Sequence, residues 1–369
     1  MLNNCVNPNI SPMLCAEGDT DSLENPNFLA QEKFDGHRAI MYVDQQGSVH
    51  FYSRRTSKVT GEKEDNTDRL KKMCAFPFSD FKDSIFDGEL VMQGGNTNSS
   101  KVQQLLGSTP ERAEELWEHD TRLQYKIFDV IKFQGLDLEK EPLLTRISFL
   151  MLLEDYLTKM GDCVLSNCYE VTRFYFKKEL YNLLDNRLAT KIGKNLILVD
   201  SFKDCFDSIR RCGGEGLILK SPTSIYKQDK RSKEWLKFKA KKTADLVVMG
   251  FEPPIKKYTG KFTVDELRVR GWQYWEGGEP VTKTYAKGWV AGLKLGAYKN
   301  GELIYVTTAK GFSDADQEFI KTHTSEMFDI VVEVEYQEVI NPETKSLRHP
   351  RVKEFRFNKD TKECLWENI

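Results

Sequence analysis

One lysine stands in a context that could make its amine reactive. The stretch QEKFDGHRAI, residues 31–40, places Lys33 between a glutamate and a phenylalanine, just before a glycine turn. A lysine amine attacks an electrophile only when it is neutral, and burial or a neighbouring cation favours that form. Phe34 can shield the amine, and Arg38 can supply the second cation. A surface lysine in a turn before a strand is the competing interpretation.

Two glycine turns place carboxylates where a ligand can approach the backbone. In FDGEL, residues 86–90, Glu89 follows Asp-Gly, and in GGEGLILK, residues 213–220, glycines flank Glu215 at the start of an apolar strand. Carboxylates in such positions can bond ribose hydroxyls or hold a hydrated metal ion. Exposed glutamates in ordinary turns are the alternative.

A basic strand follows in WLKFKAKK, residues 235–242. Residues two apart on a strand share a face, so Lys237 and Lys239 point the same way and suit a phosphate. Residues 225–262 hold 11 Lys+Arg against 4 Asp+Glu, the local charge expected for contact with phosphate backbones. A solvated basic face is the alternative.

In their order along the chain, these motifs resemble those of the covalent nucleotidyltransferase superfamily, which comprises ATP-dependent DNA ligases, RNA ligases and mRNA capping enzymes. The family signature Lys-x-Asp-Gly-x-Arg is similar to residues 33–38, and the resemblance implies that Lys33 is the adenylated residue. It runs from residue 28 to residue 360. Small bacteriophage-type ATP-dependent DNA ligases are the most similar branch.

The resemblance implies a nucleotide-binding set of residues: Glu32, Lys33, Arg38, Arg54, Glu89, Phe128, Glu215, Lys237, Lys239, Arg356 and Lys359. It implies that Phe128 stacks on adenine, that Glu89 contacts the ribose, and that Arg54 holds a phosphate. Lys237 and Lys239 would contact the α-phosphate.

The resemblance also assigns chemistry to members of this set. The implied catalytic residues are Lys33, Lys237, Lys239 and Arg356, and the implied ligands of Mg²⁺, for which Mn²⁺ could substitute, are Glu89 and Glu215. Arg356 and Lys359 lie in SLRHPRVKEFRFNKD, which resembles the terminal basic motif of ligases, and would orient the pyrophosphate leaving group of ATP.

Some positions depart from the family pattern. Gln31 stands where the family favours a glutamate, and Glu32 is shifted next to the lysine, where its backbone groups could still contact adenine. In the terminal motif, Asn358 stands where an acidic residue is common, and Glu354 replaces a frequent basic residue.

The elements that must position these residues predict an α+β domain with antiparallel sheets. Apolar runs that follow one another without intervening helices predict strands at residues 38–43, 49–53, 84–92, 123–133 and 215–220. Helical spacing predicts a helix over 146–160 that stops at Gly161, and Ser201 is a candidate cap for a helix that ends near Gly213. The polar run at residues 94–101 predicts a mobile surface loop.

The character of the chain changes after residue 242. Strand candidates joined by turns such as Lys299-Asn300-Gly301 fit a five-strand barrel of the OB type. We therefore expect a nucleotidyltransferase (adenylation) domain at residues 1–242 and an OB-fold domain at residues 243–369.

Composition excludes several other classes of protein. The chain has 369 residues and 54 Lys+Arg against 56 Asp+Glu, so a nucleic-acid partner must be met by a local basic surface. No apolar run approaches the ~20 residues that span a bilayer, and no signal sequence is evident, so we expect a cytoplasmic protein without membrane contact. The eight cysteines form no CxxC pair; reduced thiols are favoured over a zinc site at Cys163 and Cys168.

The resemblance implies a function. We expect a monomeric ATP-dependent DNA ligase that seals 5′-phosphate/3′-hydroxyl nicks in duplex DNA through lysyl-AMP and DNA-adenylate intermediates. The resemblance implies ATP rather than NAD⁺ as the nucleotide donor, because NAD⁺-using ligases carry an N-terminal nicotinamide-reading module and a four-cysteine zinc element. The chain has no such cysteine pattern, and we expect that the 27 residues before Phe28 are too few for that module. We expect that they are also too few for a separate DNA-binding domain. RNA ligation or guanylyl transfer, and a catalytically silent nucleic-acid-binding protein, are the alternatives.

Overall fold

The computed structural model describes residues 9–57, 61–93, 99–119, 122–161, 166–184, 189–190, 192–193 and 195–369. The chain divides into two compact units, Met1–Ala240 and Lys241–Ile369.

The first unit contains a six-stranded sheet that carries Lys33. Its strands are β1 (Leu14–Glu17), β2 (Leu29–Lys33), β10 (Phe174–Lys177), β11 (Leu196–Val199), β12 (Gly216–Lys220) and β13 (Arg231–Lys239). They lie in the order β1-β13-β12-β2-β10-β11. The β1–β13 and β10–β11 pairs are parallel, and the other pairs are antiparallel.

The second sheet of this unit carries the Asp-Gly-Glu segment. Its strands are β3 (His37–Val43), β4 (Val49–Thr56), β5 (Lys63–Asp65), β6 (Ser84–Met92), β7 (Leu123–Phe133), β8 (Leu136–Asp137) and β9 (Tyr169–Val171). The order is β5-β4-β3-β6-β7-β8, and β9 pairs in parallel with β7. The prediction of antiparallel sheets is therefore wrong for three strand pairs of the unit, and the α+β class is confirmed.

Helices cover these sheets: α1 (Lys71–Cys74), α2 (Ser99–Leu106), α3 (Pro110–His119), α4 (Leu143–Lys159), α5 (Lys178–Tyr181) and α6 (Phe202–Arg211). Short 3-10 helices are Thr20–Glu24, Asp68–Leu70, Ser79–Phe81 and Ser166–Cys168. The Ser201 side chain caps α6 by accepting from the Lys203 and Asp204 N–H groups. The helix α4 buries Ile147 and Leu150 in the core.

The loop predicted at residues 94–101 lies only partly within the described residues. Residues 94–98 lie outside the described residues. Residues 99–101 form the first turn of α2 instead of a loop, because Val102 and Leu105 are buried in the core and draw the segment into a helix.

The second unit is built on a five-stranded antiparallel sheet. Its strands are β14 (Lys242–Glu252), β17 (Gly292–Lys299), β18 (Glu302–Ala309), β19 (Val331–Tyr336) and β22 (Arg351–Arg356). Their order is β18-β17-β14-β19-β22, and Lys310 forms a parallel bridge with Arg351. Asn300 and Gly301 both have positive φ, which suits the tight turn between β17 and β18.

Smaller elements complete this unit. They are the strand pairs β15 (Trp275–Glu276) with β16 (Glu279–Pro280) and β20 (Val339–Asn341) with β21 (Ser346–Leu347), the helices α7 (Val264–Val269), α8 (Lys283–Ala286) and α9 (Asp314–Thr322), and the 3-10 turns Thr361–Glu363 and Trp366–Asn368.

Two expectations of the sequence concern the whole chain. Within the described ranges, no helix combines the length and apolarity needed to cross a bilayer. The described cysteines carry free thiols. Cys163, one half of the pair weighed as a zinc site, lies outside the described residues.

Candidate active site

Three adjacent strands bring the predicted phosphate-binding lysines to one face of the first sheet. The strand β12 lies between β2 and β13, so Lys33 stands opposite Gly216, and Gly216 stands opposite Lys239. Lys237 lies two residues before Lys239 and therefore points to the same side. Residues that are more than 200 positions apart in sequence thus form one cationic surface.

Gly216 allows β13 to lie close to β12 at the point where Lys33 and Lys239 stand on either side of it. Its φ is +147°, and a Cβ atom at this position would lie 1.9 Å from the carbonyl oxygen of Phe238. Any other residue would collide with the backbone of β13, the strand that carries Lys237 and Lys239, and would displace it. Steric exclusion of a Cβ atom therefore explains why a glycine follows Glu215.

Carboxylates neutralise all three lysines. The Lys33 ammonium pairs with Glu215 Oε2, and Lys239 Nζ lies 3.7 Å from the other oxygen of Glu215. Lys237 Nζ lies 2.9 Å from the exposed Glu17. Burial lowers the pKa of Lys239, and the Glu215 carboxylate opposes that shift. An anion with more negative charge than these carboxylates, such as a polyphosphate, would compete for the same amines.

A fourth lysine lies deeper on the same face. Lys220 is 1% exposed, and its Nζ lies 4.0 Å from the ring centre of Trp235 and 4.7 Å from that of Phe128. Burial lowers the pKa of Lys220 to about 8, and Asp129 opposes that shift. The aromatic faces stabilise the charged form in place of water.

Phe128 lies between two cations that come from different sheets. The Arg38 guanidinium is 4.8 Å from the ring centre, and it forms two hydrogen bonds to the fully buried Asp87, at 2.8 and 2.6 Å. The Tyr226 hydroxyl donates to the same carboxylate at 2.5 Å. The charge of Arg38 is therefore compensated by Asp87. The ring of Phe34 lies next to a different lysine: its centre is 5.5 Å from Lys126 Nζ.

Glu89 closes the site from the second sheet. It lies on β6 opposite Arg38 of β3. Burial raises the pKa of Glu89 to about 7, with Lys33 and Arg38 acting in the opposite direction. Gly36 lets β6 approach, because a Cβ on Gly36 would lie 2.2 Å from the Leu90 carbonyl oxygen.

These groups line a cavity of about 320 Å³ in the first unit. Of the predicted residues in this unit, the cavity is lined by Glu32, Lys33, Arg38, Arg54, Glu89, Phe128, Lys237 and Lys239. Glu215 reaches it through its ion pair with Lys33. A volume of this size accommodates a small molecule.

Glu32 and Arg54 occupy the margins of this arrangement. Strand alternation turns the Glu32 side chain away from the face that carries Lys33. Burial raises the pKa of Glu32, and the charge of Lys126 opposes that shift. Only the backbone of Glu32 is then available on the Lys33 side. Arg54 is exposed at the rim of the cavity.

The two predicted metal ligands fit a magnesium ion that is shared with a substrate. No group of three or more His, Cys, Asp or Glu side chains in the described part of the chain could hold a metal ion alone. Mg²⁺ typically uses one or two carboxylates and completes its shell with water and phosphate oxygens. Burial is the main cause of the raised pKa of Glu89, and the Glu215 charge adds to it, so a cation bound by these carboxylates would favour their charged forms.

The predicted residues of the second unit are held in ion pairs. Arg356 bonds Glu333 at 2.5 Å and approaches Asp245 at 3.1 Å. Lys359 lies 2.7 Å from Asp245. The adjacent carboxylates raise the pKa of both basic groups.

Sequence reasoning did not assign roles to three residues that the structure brings to the site: Lys220, Trp235 and Asp87. They lie inside the motifs GGEGLILK, WLKFKAKK and FDGEL, respectively. Strand alternation puts Lys220, four residues after Gly216, on the same face. Asp87 carried no local signal, because its pairing with Arg38 depends on strand register.

A model of the ATP dependent DNA ligase domain family matches residues 12–239, more than half of the chain. The chain belongs to this family. The match spans every residue of the cavity, whereas Arg356 and Lys359 lie beyond it.

The sequence of this chain is similar to those of curated DNA ligases. The DNA ligase of Archaeoglobus fulgidus is 28% identical over 356 residues, which are 90% of this chain and 52% of that protein. The DNA ligase of Variola virus is 25% identical over 253 residues, 65% of this chain and 39% of that protein. The ligase-family chain thus spans about half, or less, of the length of these relatives.

A solved structure supports the fold. It comes from a structure-function analysis of Lig E DNA ligases and matches with a TM-score of 0.51 at 14% identity, covering 94% of this chain and 99% of that chain. At this identity the likeness concerns the fold alone.

Proposed function

We propose that this chain is the catalytic core of an ATP-dependent DNA ligase that seals 5′-phosphate/3′-hydroxyl nicks in duplex DNA. The observation that carries the proposal is the position of Lys33 in a cavity of the family-matched unit, on the same sheet face as Lys237 and Lys239 and separated from them by the strand β12. A nucleophilic amine flanked by two phosphate-binding cations suits attack on an α-phosphate.

In the first step, the neutral amine of Lys33 attacks the α-phosphorus of ATP. The Nζ–P bond forms as the bond from phosphorus to the bridging oxygen breaks, pyrophosphate leaves, and the nitrogen loses a proton. Lys237 and Lys239 stabilise the charge on the phosphate oxygens. Alignment of the attacking nitrogen with the leaving oxygen accounts for most of the remaining rate acceleration. Glu215 holds the Lys33 amine in the cavity until the nucleotide arrives.

The metal and the nucleoside have candidate partners in the same cavity. Glu89 and Glu215 would hold Mg²⁺, which neutralises phosphate charge when bound. Phe128 offers a ring face for the base, a role that requires the base to displace one of its two cations. Glu89 can also bond the ribose, and Arg54 at the rim can meet a phosphate of the nick.

Two transfers complete the reaction. The AMP group moves from Lys33 to the 5′-phosphate of the nick, and the neighbouring 3′-hydroxyl then attacks that phosphate and releases AMP. Each transfer exchanges one phosphorus bond for another, so the same cations serve every step. We propose that the protein acts as a monomer, since one chain contains each residue that the cycle needs, and we retain the cytoplasmic location expected from the sequence.

We further propose that the second unit is an OB-fold barrel, with the adenylation domain at residues 1–242 and the OB domain at 243–369. Numbered along the chain, its five strands lie in the order 3-2-1-4-5. The parallel bridge from Lys310 to Arg351 joins the two outer strands, as closure requires, and α9 lies between the third and fourth strands. In this proposal Arg356 and Lys359 orient pyrophosphate in the first step.

The test is a labelled turnover in two stages. The protein is incubated with α-labelled ATP and Mg²⁺, freed of nucleotide, and given nicked duplex DNA, nicked RNA–DNA hybrid or nicked duplex RNA. The proposal predicts a labelled protein that loses label as the DNA nick is sealed. Labelling followed by sealing of RNA alone would favour RNA ligation, and absence of labelling would overturn the proposal.

A further inference from the structure

Gln31 is one of the residues that line the cavity, and its buried side chain has one polar atom without a hydrogen-bond partner among the described residues. Gln31 is 2% exposed, and its Nε2 donates to Thr172 Oγ1 at 2.6 Å. Among the described residues its Oε1 has no hydrogen-bond partner. Buried polar atoms are usually paired, so an unpaired amide oxygen in a ligand-sized cavity points to a ligand.

The position of Gln31 relates it to the base of a bound nucleotide. It lies two residues before Lys33 on β2, on the same face and about 7 Å away along the strand. On the adjacent strand β12, the residue opposite Gln31 is Ile218, which also lines the cavity. A nucleotide whose α-phosphate meets Lys33 can therefore extend its base over Ile218 toward the Gln31 amide.

A glutamine amide can either accept a hydrogen bond from the base or donate one to it. Gln31 presents an acceptor oxygen on one side and a donor NH₂ on the other, and a half-turn of the amide exchanges them. Thr172 tolerates both orientations, because its hydroxyl can accept from Nε2 or donate to Oε1. Adenine carries an amino donor at its 6 position, whereas guanine carries a carbonyl acceptor there. The amide can therefore satisfy either base.

We propose that Gln31 lets this site accept guanine as well as adenine, so that GTP serves as a second nucleotidyl donor. This inference rests on the proposed function. The reaction keeps its balance: the Lys33 nitrogen bonds the α-phosphorus of GTP, the bond to the bridging oxygen breaks, pyrophosphate leaves, and the nitrogen loses a proton. A carboxylate at position 31 would only accept hydrogen bonds and would reject the guanine carbonyl.

The experiment compares labelling by α-labelled ATP and α-labelled GTP in separate reactions with Mg²⁺. For the wild-type protein we expect GTP labelling within about 100-fold of ATP labelling. Gln31→Glu is expected to lower the GTP-to-ATP ratio about tenfold or more. Gln273→Glu makes the same chemical change at an exposed glutamine and is expected to leave the ratio unaltered.

Three further variants test the inference if the Gln31→Glu protein fails to fold. Gln31→Met removes both hydrogen-bonding atoms, so labelling by both nucleotides should fall while their ratio moves toward one. Thr172→Val should weaken labelling by both nucleotides, and Thr172→Ser, which keeps the hydroxyl, should restore it.

The outcomes separate this inference from the proposed function. No labelling by either nucleotide in the wild-type protein contradicts the proposed function itself. Strong labelling by ATP with none by GTP overturns the inference alone. A GTP-to-ATP ratio that is unchanged in Gln31→Glu, or undiminished labelling in Gln31→Met, shows that Gln31 does not contact the base and also overturns it.

Discussion

Lys33 and Glu215 form an ion pair across neighbouring strands, although 182 residues separate them in sequence. Glu215 ends the turn before β12, and Gly216 then stands opposite Lys33. The carboxylate occupies the Lys33 amine, so the pair must separate before the amine can attack an electrophile. The ion pair therefore holds the Lys33 amine in place before the reaction.

Replacing Glu215 by Gln should impair the first chemical step. Without the carboxylate, Lys33 loses its positioning partner, and the candidate metal site loses one of its two ligands. We expect initial labelling by α-labelled ATP to slow about 100-fold or more. The matched control is Glu17→Gln, which removes the exposed partner of Lys237 and should change the rate less than about threefold. Equal rates for the two variants would contradict the role of Glu215.

Lys220 should make folding stability depend on pH. Burial lowers its pKa to about 8 from 10.5, so between these values the unfolded chain binds the proton more tightly than the folded chain. The folded state therefore gains stability as pH rises through this window. Relative to Lys220→Met, the wild-type protein should gain about 2 kcal/mol between pH 7 and pH 10, measured by urea unfolding.

The control for this titration is Lys178→Met, because Lys178 is 68% exposed in its side chain. Its stability difference from wild type should stay flat over the same range. A flat difference for Lys220→Met as well would mean that Lys220 keeps its ordinary pKa in the folded protein.

Asp87 should be essential to the stability of the first unit. Its buried carboxylate accepts from Arg38 and Tyr226, so Asp87→Asn leaves the Arg38 charge without a counterion. We expect a loss of about 3–5 kcal/mol in the free energy of unfolding. Asp200→Asn removes a carboxylate that is 87% exposed and should cost less than about 1 kcal/mol. A similarly small loss for Asp87→Asn would contradict the structure.

Arg356 should act in one step only. If it orients pyrophosphate, Arg356→Ala will slow labelling by ATP about tenfold or more, while sealing of a nick that already carries AMP on its 5′-phosphate stays within a few-fold of wild type. Parallel assays with ATP and with pre-adenylated nicked DNA measure both steps. Equal losses in the two assays would assign Arg356 to DNA contact or to folding instead.

Much of the local structure could be predicted from the sequence. The strands at Ser84–Met92 and Leu123–Phe133 have the predicted bounds, because their apolar residues and flanking turns are local signals. The Ser201 cap and the stop at Gly161, whose φ is +63°, were equally local. Lys237 and Lys239 share a face for the same reason.

Contacts that depend on strand register could not be predicted in this way. The pairing of Arg38 with Asp87, the burial of Lys220 between Phe128 and Trp235, and the parallel pairing of β1 with β13 join segments that are distant in sequence. Gln31 was visible as an unusual residue, but its unpaired oxygen is a property of the folded cavity.

The central claim is that Lys33 receives the nucleotide. Incubation with α-labelled ATP, proteolysis and mass analysis of the labelled peptide locate the adduct. The account predicts one AMP group on Lys33, complete loss of labelling in Lys33→Ala, and normal labelling in Lys178→Ala, which removes an exposed lysine. Labelling that persists in Lys33→Ala, or an adduct mapped to another residue, would contradict it.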